Sequence, residues 1–408
     1  MRSKIILYAG IVVAVIVVGA LVWYFVFSGS GGTTTTTQTG QTGTLPSAGN
    51  QTGAGTNGGT ASGGGASSSA GTSVTQGLPN GSASFGILSN EPVFDYFVDA
   101  QNNVTVVEPN GEIARIANGQ PTFLSSNPVQ SVLSAGFSYD GSKAFVSFGD
   151  PANPQTSIFD IATQAWTPLP VGILSPVWSP VDHRLAYMTN ANGALNVFTL
   201  DPTKASNKPV AVTSVTATDL ALSWPNKNDL ILSDKPSIYA DGSIWLYDLT
   251  KKTLTNEVYA QFGVESVWSN ATTTTGLVLS SLNYGRNGSL ALMNSASSSS
   301  QPLTLNTLPS KCAFGPQVGT SSPATLALYC AVPANASFLS AALPDDYQKM
   351  VLFTADDFYK IDLSSGATSN LLTPVGSIDG SDLKVLNKIL FFVNRYDNKL
   401  YAISLSGG

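Results

Sequence analysis

The chain has 408 residues, of which 43% are hydrophobic and only 11% charged, well under the roughly 25% of an ordinary soluble domain. Nineteen Lys and Arg against 25 Asp and Glu give a net charge of −6, which argues against nucleic acid, whose phosphates need a basic face. One His and two Cys leave almost nothing for zinc, haem or iron–sulfur ligation, so neither metal nor cofactor is expected.

In chain order, Arg2 and Lys4 at 1–4 precede an uncharged apolar run at 5–27. Twenty-three helical residues at about 1.5 Å each span roughly 35 Å, enough for a hydrocarbon core of about 30 Å. Trp23 and Tyr24 fall near its far end, where amphipathic aromatics favour the interface. The next charged residue after Lys4 is Glu91. The positive-inside rule therefore predicts a single-pass anchor in the cell membrane, with a cytoplasmic N-terminus and the rest on the extracytoplasmic side. A cleaved signal peptide is the alternative, although the run exceeds the usual 7–15 residues and ends in bulky side chains.

Residues 28–84 are almost wholly Gly, Ser, Thr, Gln, Asn and Ala. Too little apolar surface is present to offset the entropy of ordering, so a disordered linker is expected. As a coil of about 55 residues it would reach roughly 40 Å, a leash between bilayer and body. Six Asn-x-Ser/Thr triplets occur, at Asn50, Asn80, Asn103, Asn270, Asn287 and Asn335. Chance alone predicts about that number.

From residue 85 to 408, short runs of Val, Ile, Leu and aromatics alternate with Gly/Asn/Asp/Pro turns, the signature of strands. The runs recur. Phe137, Trp178, Trp224, Trp268 and Phe314 are separated by 41, 46, 44 and 46 residues. Each is followed by a turn and a buried strand, at 144–148, 184–188, 229–233, 276–280 and 325–330. A further strand follows, often ending in Asp and a turn, as at Asp160, Asp248 and Asp362. A period of 40–50 residues with about four strands predicts an all-β fold, a β-propeller. One four-stranded sheet cannot bury both faces, and radial packing covers them. The five aromatics are assigned to packing between blades.

These residues carry a resemblance. Pro176-Val177-Trp178-Ser179-Pro180, then His183-Arg184-Leu185-Ala186-Tyr187, then Leu195-Asn196-Val197-Phe198 resembles the WD40-like repeat of TolB-type propellers. Phe137-Ser138-Tyr139-Asp140-Gly141 matches it again, and 393–401 resembles its loop and following strand. Trp224 and Trp268 depart from it, being followed by Pro-Asn-Lys-Asn and Ser-Asn-Ala-Thr. The resemblance covers about 93–405 and implies a fold, without implying an activity. Five clear repeats plus a partial unit at each end predict seven blades, with six or eight as alternatives. The last unit lacks one strand and resembles the family's "Velcro" closure, for which 84–88 is the candidate strand.

An insertion at 331–350 breaks the period and ends in Leu343, Pro344, Asp345, Asp346 and Tyr347. Insertions in repeat folds gather on one face, often the binding face. Leu343, Asp345, Asp346 and Tyr347 are thus candidate partner-binding residues; a local cap on the propeller is the alternative. Cys312 and Cys330 fall on consecutive predicted strands, and in an exported protein they are a candidate disulfide.

Catalytic signals are sparse. His183 sits in a turn without a nucleophile motif, and no Gly-x-Ser-x-Gly appears. The acidic pairs Asp345/Asp346 and Asp356/Asp357 are sequence neighbours, which does not place two carboxylates across a cleft. The expectation is a non-catalytic binding or scaffold module that docks another envelope protein through a propeller face. An extracytoplasmic carbohydrate-active or glycan-binding propeller and a structural surface-layer component are the alternatives.

Overall fold

The computed structural model describes residues 85–405, apart from 127, 205–207, 271–274, 282–286, 296–298 and 318–325. The expected cytoplasmic residues 1–4, anchor at 5–27 and linker at 28–84 lie outside the described residues. Among those described, no helix is long and apolar enough to cross a membrane. All of them belong to one compact unit, Ser68–Gly408.

The described strands form six antiparallel sheets. Sheet I runs Asp95–Val98, Val104–Val107, Ile113–Ala117 and Gln120–Phe123. Sheet II runs Val132–Phe137, Lys143–Phe148, Gln155–Asp160 and Ala165–Pro168. Sheet III runs Leu174–Trp178, Leu185–Ala191, Ala194–Leu200 and Val210–Val215. Sheet IV has seven strands: Leu220–Ser223, Asp229–Asp234, Asp241–Asp248, Thr253–Trp268, Thr275–Ser281, Ser289–Asn294 and Ser299–Leu303. Sheet V runs Cys312–Pro316, Leu326–Pro333, Asp356–Asp362 and Thr368–Leu372. In sheet VI the order is Phe85–Ile87, Lys399–Ser404, Ile389–Asn394 and Gly380–Leu386.

Burial follows the sequence pattern strand by strand. Ile389–Asn394, Ile-Leu-Phe-Phe-Val-Asn, is buried at every position, as a strand covered on both faces must be. The outermost strands, such as Ala165–Pro168, are mostly exposed. Apolar clusters fill the space between neighbouring sheets. Val107 and Ile113 of sheet I meet Ala144 and Phe159 of sheet II, and Met188 of sheet III meets Leu232 of sheet IV. Val106 of sheet I packs with Phe391 and Ala402 of sheet VI, so the sheets close on themselves. The strand expected at 84–88 is Phe85–Ile87, which pairs with Lys399–Ser404, Phe85 opposite Ile403. Both ends of the described chain are therefore held in one sheet.

Strand Thr253–Trp268 needs 16 residues because it serves two partners. Its first half pairs with Asp241–Asp248 and its second with Thr275–Ser281. The change of partner comes with positive φ at Ala260 and Gly263, 47° and 62°. Turns are held by a repeated device. The backbone N–H groups of Ser138, Ser179 and Ser269 donate to the carbonyls of Lys143, Arg184 and Thr275, each at 2.8 Å. Gly141 closes the first of these turns at φ +69°, and a Cβ there would lie 2.2 Å from the Phe97 ring. The Asp residues at strand ends accept from the turn that follows: Asp160 from Ala162 and Thr163, Asp248 from Thr250 and Lys251, Asp362 from Ser364 and Ser365.

The insertion differs in extent from the sequence reading. Strand Leu326–Pro333 continues into it, and the segment between strands runs from 334 to 355. Cross-strand pairing carries Ala331, Val332 and Pro333 opposite Phe358, Asp357 and Asp356, which is why the ladder extends past the apolar run.

Candidate functional site: the face carrying the insertion

Residues 334–355 hold a 3-10 turn, Phe338–Ser340, and a single helical turn, Asp345–Gln348. Beneath them lies a buried ionic cluster built from four places in the chain. Lys311 ends the turn Pro309–Lys311, immediately before the first strand of sheet V. Asp356 opens the third strand of that sheet. Asp379 immediately precedes strand Gly380–Leu386, and Arg395 follows Ile389–Asn394. Tyr347 and Thr354 come from the insertion.

Lys311 and both aspartates have fully buried side chains. The ammonium of Lys311 donates to Asp379 Oδ1 at 2.6 Å and Asp356 Oδ2 at 2.7 Å. Thr354 Oγ1, Tyr347 Oη and Gly380 O lie at 3.1–3.2 Å. Arg395 Nη1 donates to Asp379 Oδ2 at 2.8 Å and Nη2 to Tyr347 O at 2.6 Å. Its guanidinium carbon stands 3.6 Å from the centre of the Tyr347 ring, a cation–π contact in a desolvated setting. Two cations face two carboxylates, so the cluster balances its charge, as burial requires.

Two acids here sit in unfavourable surroundings for charge. Burial pushes the Asp356 carboxyl up, with Lys311 pulling the other way, and Asp356 Oδ1 has no partner. Burial likewise raises Glu265, whose Oε1 accepts from Ser310 N at 2.7 Å while Oε2 has none. Burial, then the neighbouring Asp379 charge, raises the Tyr347 phenol. With its donors all engaged and its side chain sealed from solvent, Lys311 is built to brace the insertion, not to meet a substrate.

A second anchor ties the segment to sheet IV. Asp345 Oδ2 accepts from Ile238 N at 2.7 Å, and Leu339 O accepts from Asn287 N at 3.1 Å. Gly263 allows close approach here, because a Cβ would lie 2.9 Å from Leu343 O. Leu343, Asp345 and Tyr347 are 4%, 7% and 4% exposed. These three fasten the insertion from below, whereas Asp346 is half-buried, lines the neighbouring cleft and accepts from Ala342 N within the insertion through its Oδ2. Apolar and anchoring side chains turn inward because the sheets beneath supply their cover.

The outward side chains are those that follow. Met350, Val351 and Phe353 of the insertion lie exposed, as do Tyr239 and Tyr396 on neighbouring loops. Phe353 and Tyr396 rings stand 5.3 Å apart. Arg395 lies 4.9 Å from the Phe353 centroid and donates to Met350 Sδ at 2.9 Å. Lys349 sits 5.7 Å above the Tyr239 ring. Tyr, Met, Phe and Arg are the residue types enriched at protein interfaces. Beside this patch lies an open cleft of about 610 Å³, lined by 334, 335, 337, 338, 340–342, Asp346 and 352–355.

The remaining sequence-named residues lie elsewhere. Trp178 Nε1 donates to Gly136 O of sheet II at 2.9 Å, Trp224 lies under Arg184 of sheet III at 5.2 Å, and Phe137 faces Phe97 of sheet I at 6.0 Å. Trp268 packs with Ile231 and Leu246, and Phe314 against the cluster containing Leu277. Cys312 and Cys330 are directly opposed across the first two strands of sheet V and are joined by a disulfide. Lys311, Asp379 and Tyr239 carry no mark in the sequence, and Arg395 and Tyr396 fall there only within the loop resemblance at 393–401. Their only signal was a charged or aromatic residue beside a strand end, common to many turns.

His183 meets a serine and an aspartate after all. Its Nε2 lies 2.9 Å from Ser142 Oγ and 3.1 Å from Asp140 Oδ2. A hydrolase relay needs the two ring nitrogens to face different partners. Here one nitrogen serves both, and Ser142 Oγ also bonds Asp140 directly, so the trio ties two turns together. Among the described residues no group of three or more His, Cys, Asp or Glu is placed to hold a metal ion.

No family model and no curated protein matches the sequence. Solved structures do. The tricorn protease superposes at TM-score 0.50 with 10% identity, over 80% of this chain and 34% of its own. A virginiamycin B lyase from Staphylococcus aureus, bound to quinupristin, superposes at TM-score 0.50 with 12% identity, over 79% and 99%. The propeller domain of the trilobed protease from Pyrococcus furiosus gives 0.43 at 11% identity, over 64% and 76%. The fold is a β-propeller. The chain spans about a third of the tricorn protease, and at such identities the likeness carries the propeller fold alone. The narrower resemblance to TolB-type propellers therefore rests on the repeat residues themselves.

Proposed function

We propose that this propeller is a membrane-tethered, extracytoplasmic binding module that docks another protein of the cell envelope through the face carrying the insertion, without catalysis of its own. The observation that carries the reading is the exposed group of Met350, Val351 and Phe353 on the insertion with Tyr239 and Tyr396 on neighbouring loops, the insertion being anchored by a buried ionic cluster. A preformed, rigid patch of this composition loses little entropy on binding. The apolar run at 5–27 behind Arg2 and Lys4 supports the tether, and the Cys312–Cys330 bridge supports an oxidising compartment. Seven blades is the count we favour, with sheet IV contributing two that share strand Thr253–Trp268.

Crosslinking in intact cells with identification of neighbours by mass spectrometry tests this. One or two specific protein neighbours should appear and be displaced by soluble residues 85–408. Tyr396→Ala and Val351→Asp should remove them while leaving the fold intact. Neighbours that persist in both variants would place the contact elsewhere. A glycan-binding role is the second reading, favoured by the exposed Tyr239, Phe353 and Tyr396 rings; saturable binding on a glycan array, lost in Tyr396→Ala, would support it over the first.

A further inference from the structure

The six Asn-x-Ser/Thr triplets are no more than chance supplies, yet the structure separates them. Asn50 and Asn80 lie outside the described residues, as does Thr272 of the Asn270 triplet. Asn103 has its Nδ2 engaged by Asp99 Oδ2 at 2.7 Å, and its partner hydroxyl belongs to Thr105, buried in a strand. Asn287 is exposed, but Ser289 Oγ points to Ser280 O instead of to the Asn.

Asn335 is arranged differently. Ser337 donates to Asn335 Oδ1 twice, from its N–H at 3.0 Å and its Oγ at 2.8 Å. Asn335, Ala336 and Ser337 are all exposed. Meanwhile Asn335 O accepts from Asn306 Nδ2 at 2.6 Å and Phe338 N at 3.1 Å, which fixes the backbone. Asn335 Nδ2 is left without a partner, on a residue that lines the cleft.

We propose that Asn335 is a site of N-linked glycosylation. The inference rests on the extracytoplasmic reading above, since the acceptor must meet a lipid-linked sugar on that side of the membrane. In a carboxamide the nitrogen lone pair is delocalised into the carbonyl. Two donors on Oδ1 stabilise the imidate form, in which that pair is free to react. Nδ2 then attacks the anomeric carbon of a sugar carried on a polyprenyl diphosphate. The carbon–nitrogen bond forms, the bond from that carbon to the diphosphate oxygen breaks, the lipid diphosphate departs, and the single proton that Nδ2 gives up in reaching the imidate goes to solvent. The sugar would lie over the cleft that Asn335 lines.

The test uses full-length protein purified from its own cells. After reduction, trypsin releases peptide 312–349, whose only Asn is Asn335. Mild base strips O-linked sugar and leaves N-linked sugar, so a glycan mass that survives it assigns the site. Occupancy should fall at least tenfold in Ser337→Ala and persist in Ser337→Thr, with Asn103 bare throughout. Protease treatment of intact cells reads the location separately. A body cleaved from outside whose Asn335 is bare overturns the glycan inference alone. A body shielded inside the cell, with Asn335 bare, overturns the extracytoplasmic reading with it.

Discussion

Replacing Lys311 by Met keeps the volume of the side chain and removes the charge. In the native protein its ammonium holds Asp356 and Asp379, neither of which has any exposed side-chain surface. Arg395 would still pair Asp379, whereas Asp356 would lose its cation and keep neutral donors such as Gly380 N at 2.7 Å. Breaking a buried pair from one side costs about 3–5 kcal/mol, because the orphaned charge stays in a low-dielectric site. At roughly 2 °C per kcal/mol for a body of this size, Tm should fall by at least about 6 °C at pH 7. Lys349→Met is the control. Its pair with Asp345 is 63% exposed on the lysine side, and its loss should cost about 0.5 kcal/mol or less. The Lys311→Met deficit should also shrink in acid. Asp356 already has its folded pKa raised, so protonation favours the fold and removes the uncompensated charge. Adding Asp356→Leu to Lys311→Met should restore part of the lost stability. Thermal unfolding followed by tryptophan fluorescence measures all of this. Equal losses in the two lysine variants, or a Lys311→Met deficit that grows in acid, would refute the assignment of the cluster as a brace.

Reducing the Cys312–Cys330 bridge, which closes a loop of 18 residues, should lower stability by about 3 kcal/mol, visible as a Tm drop with reductant that the double Ala variant no longer shows. Asp160 has its pKa lowered to about 2, first by Lys143 and then by the Thr163 N–H. Its contribution is therefore full above the unfolded value near 3.9 and lost as pH falls towards 2. Asp160→Asn should cost about 1 kcal/mol at pH 7, and acid titration of both proteins should show the gap closing near pH 2. Phe85 stacks on Tyr401 at 5.5 Å and Phe392 at 6.3 Å in the sheet that joins the two ends. Phe85→Ala should cost about 2–3 kcal/mol, and hydrogen exchange should accelerate first in Lys399–Ser404. Unchanged exchange there would mean that the closing strand does not hold the ring.

Much of the fold was legible because strands advertise themselves locally. The run Ile-Leu-Phe-Phe-Val at 389–393 has no polar position to offer solvent, so it had to be covered on both faces. The spacing of Phe137, Trp178, Trp224, Trp268 and Phe314 reports a repeat because each stands at or near the end of a strand and packs against residues that precede its own strand in the chain. Cys312 and Cys330 were suggestive for the same reason, since consecutive antiparallel strands bring such positions opposite each other. The insertion was visible as a break in the period, but its orientation was not. Asp345 and Tyr347 look like surface chemistry in a row of letters, yet their partners Ile238, Asp379 and Arg395 are 107, 32 and 48 residues away.

The sequence by itself determined the class of fold, the period of its sheets and where the repeat is interrupted, because these follow from alternation and turn residues within a few positions of each other. Only the tertiary structure decided which charges are buried, which aromatics remain exposed and which of several equivalent Asn triplets has a free amide. Those properties depend on what the ring brings within about 3 Å, and Lys311, Asp356, Asp379 and Arg395 meet only when sheets V and VI are packed side by side. Residues whose role is set by such neighbours carry no local mark.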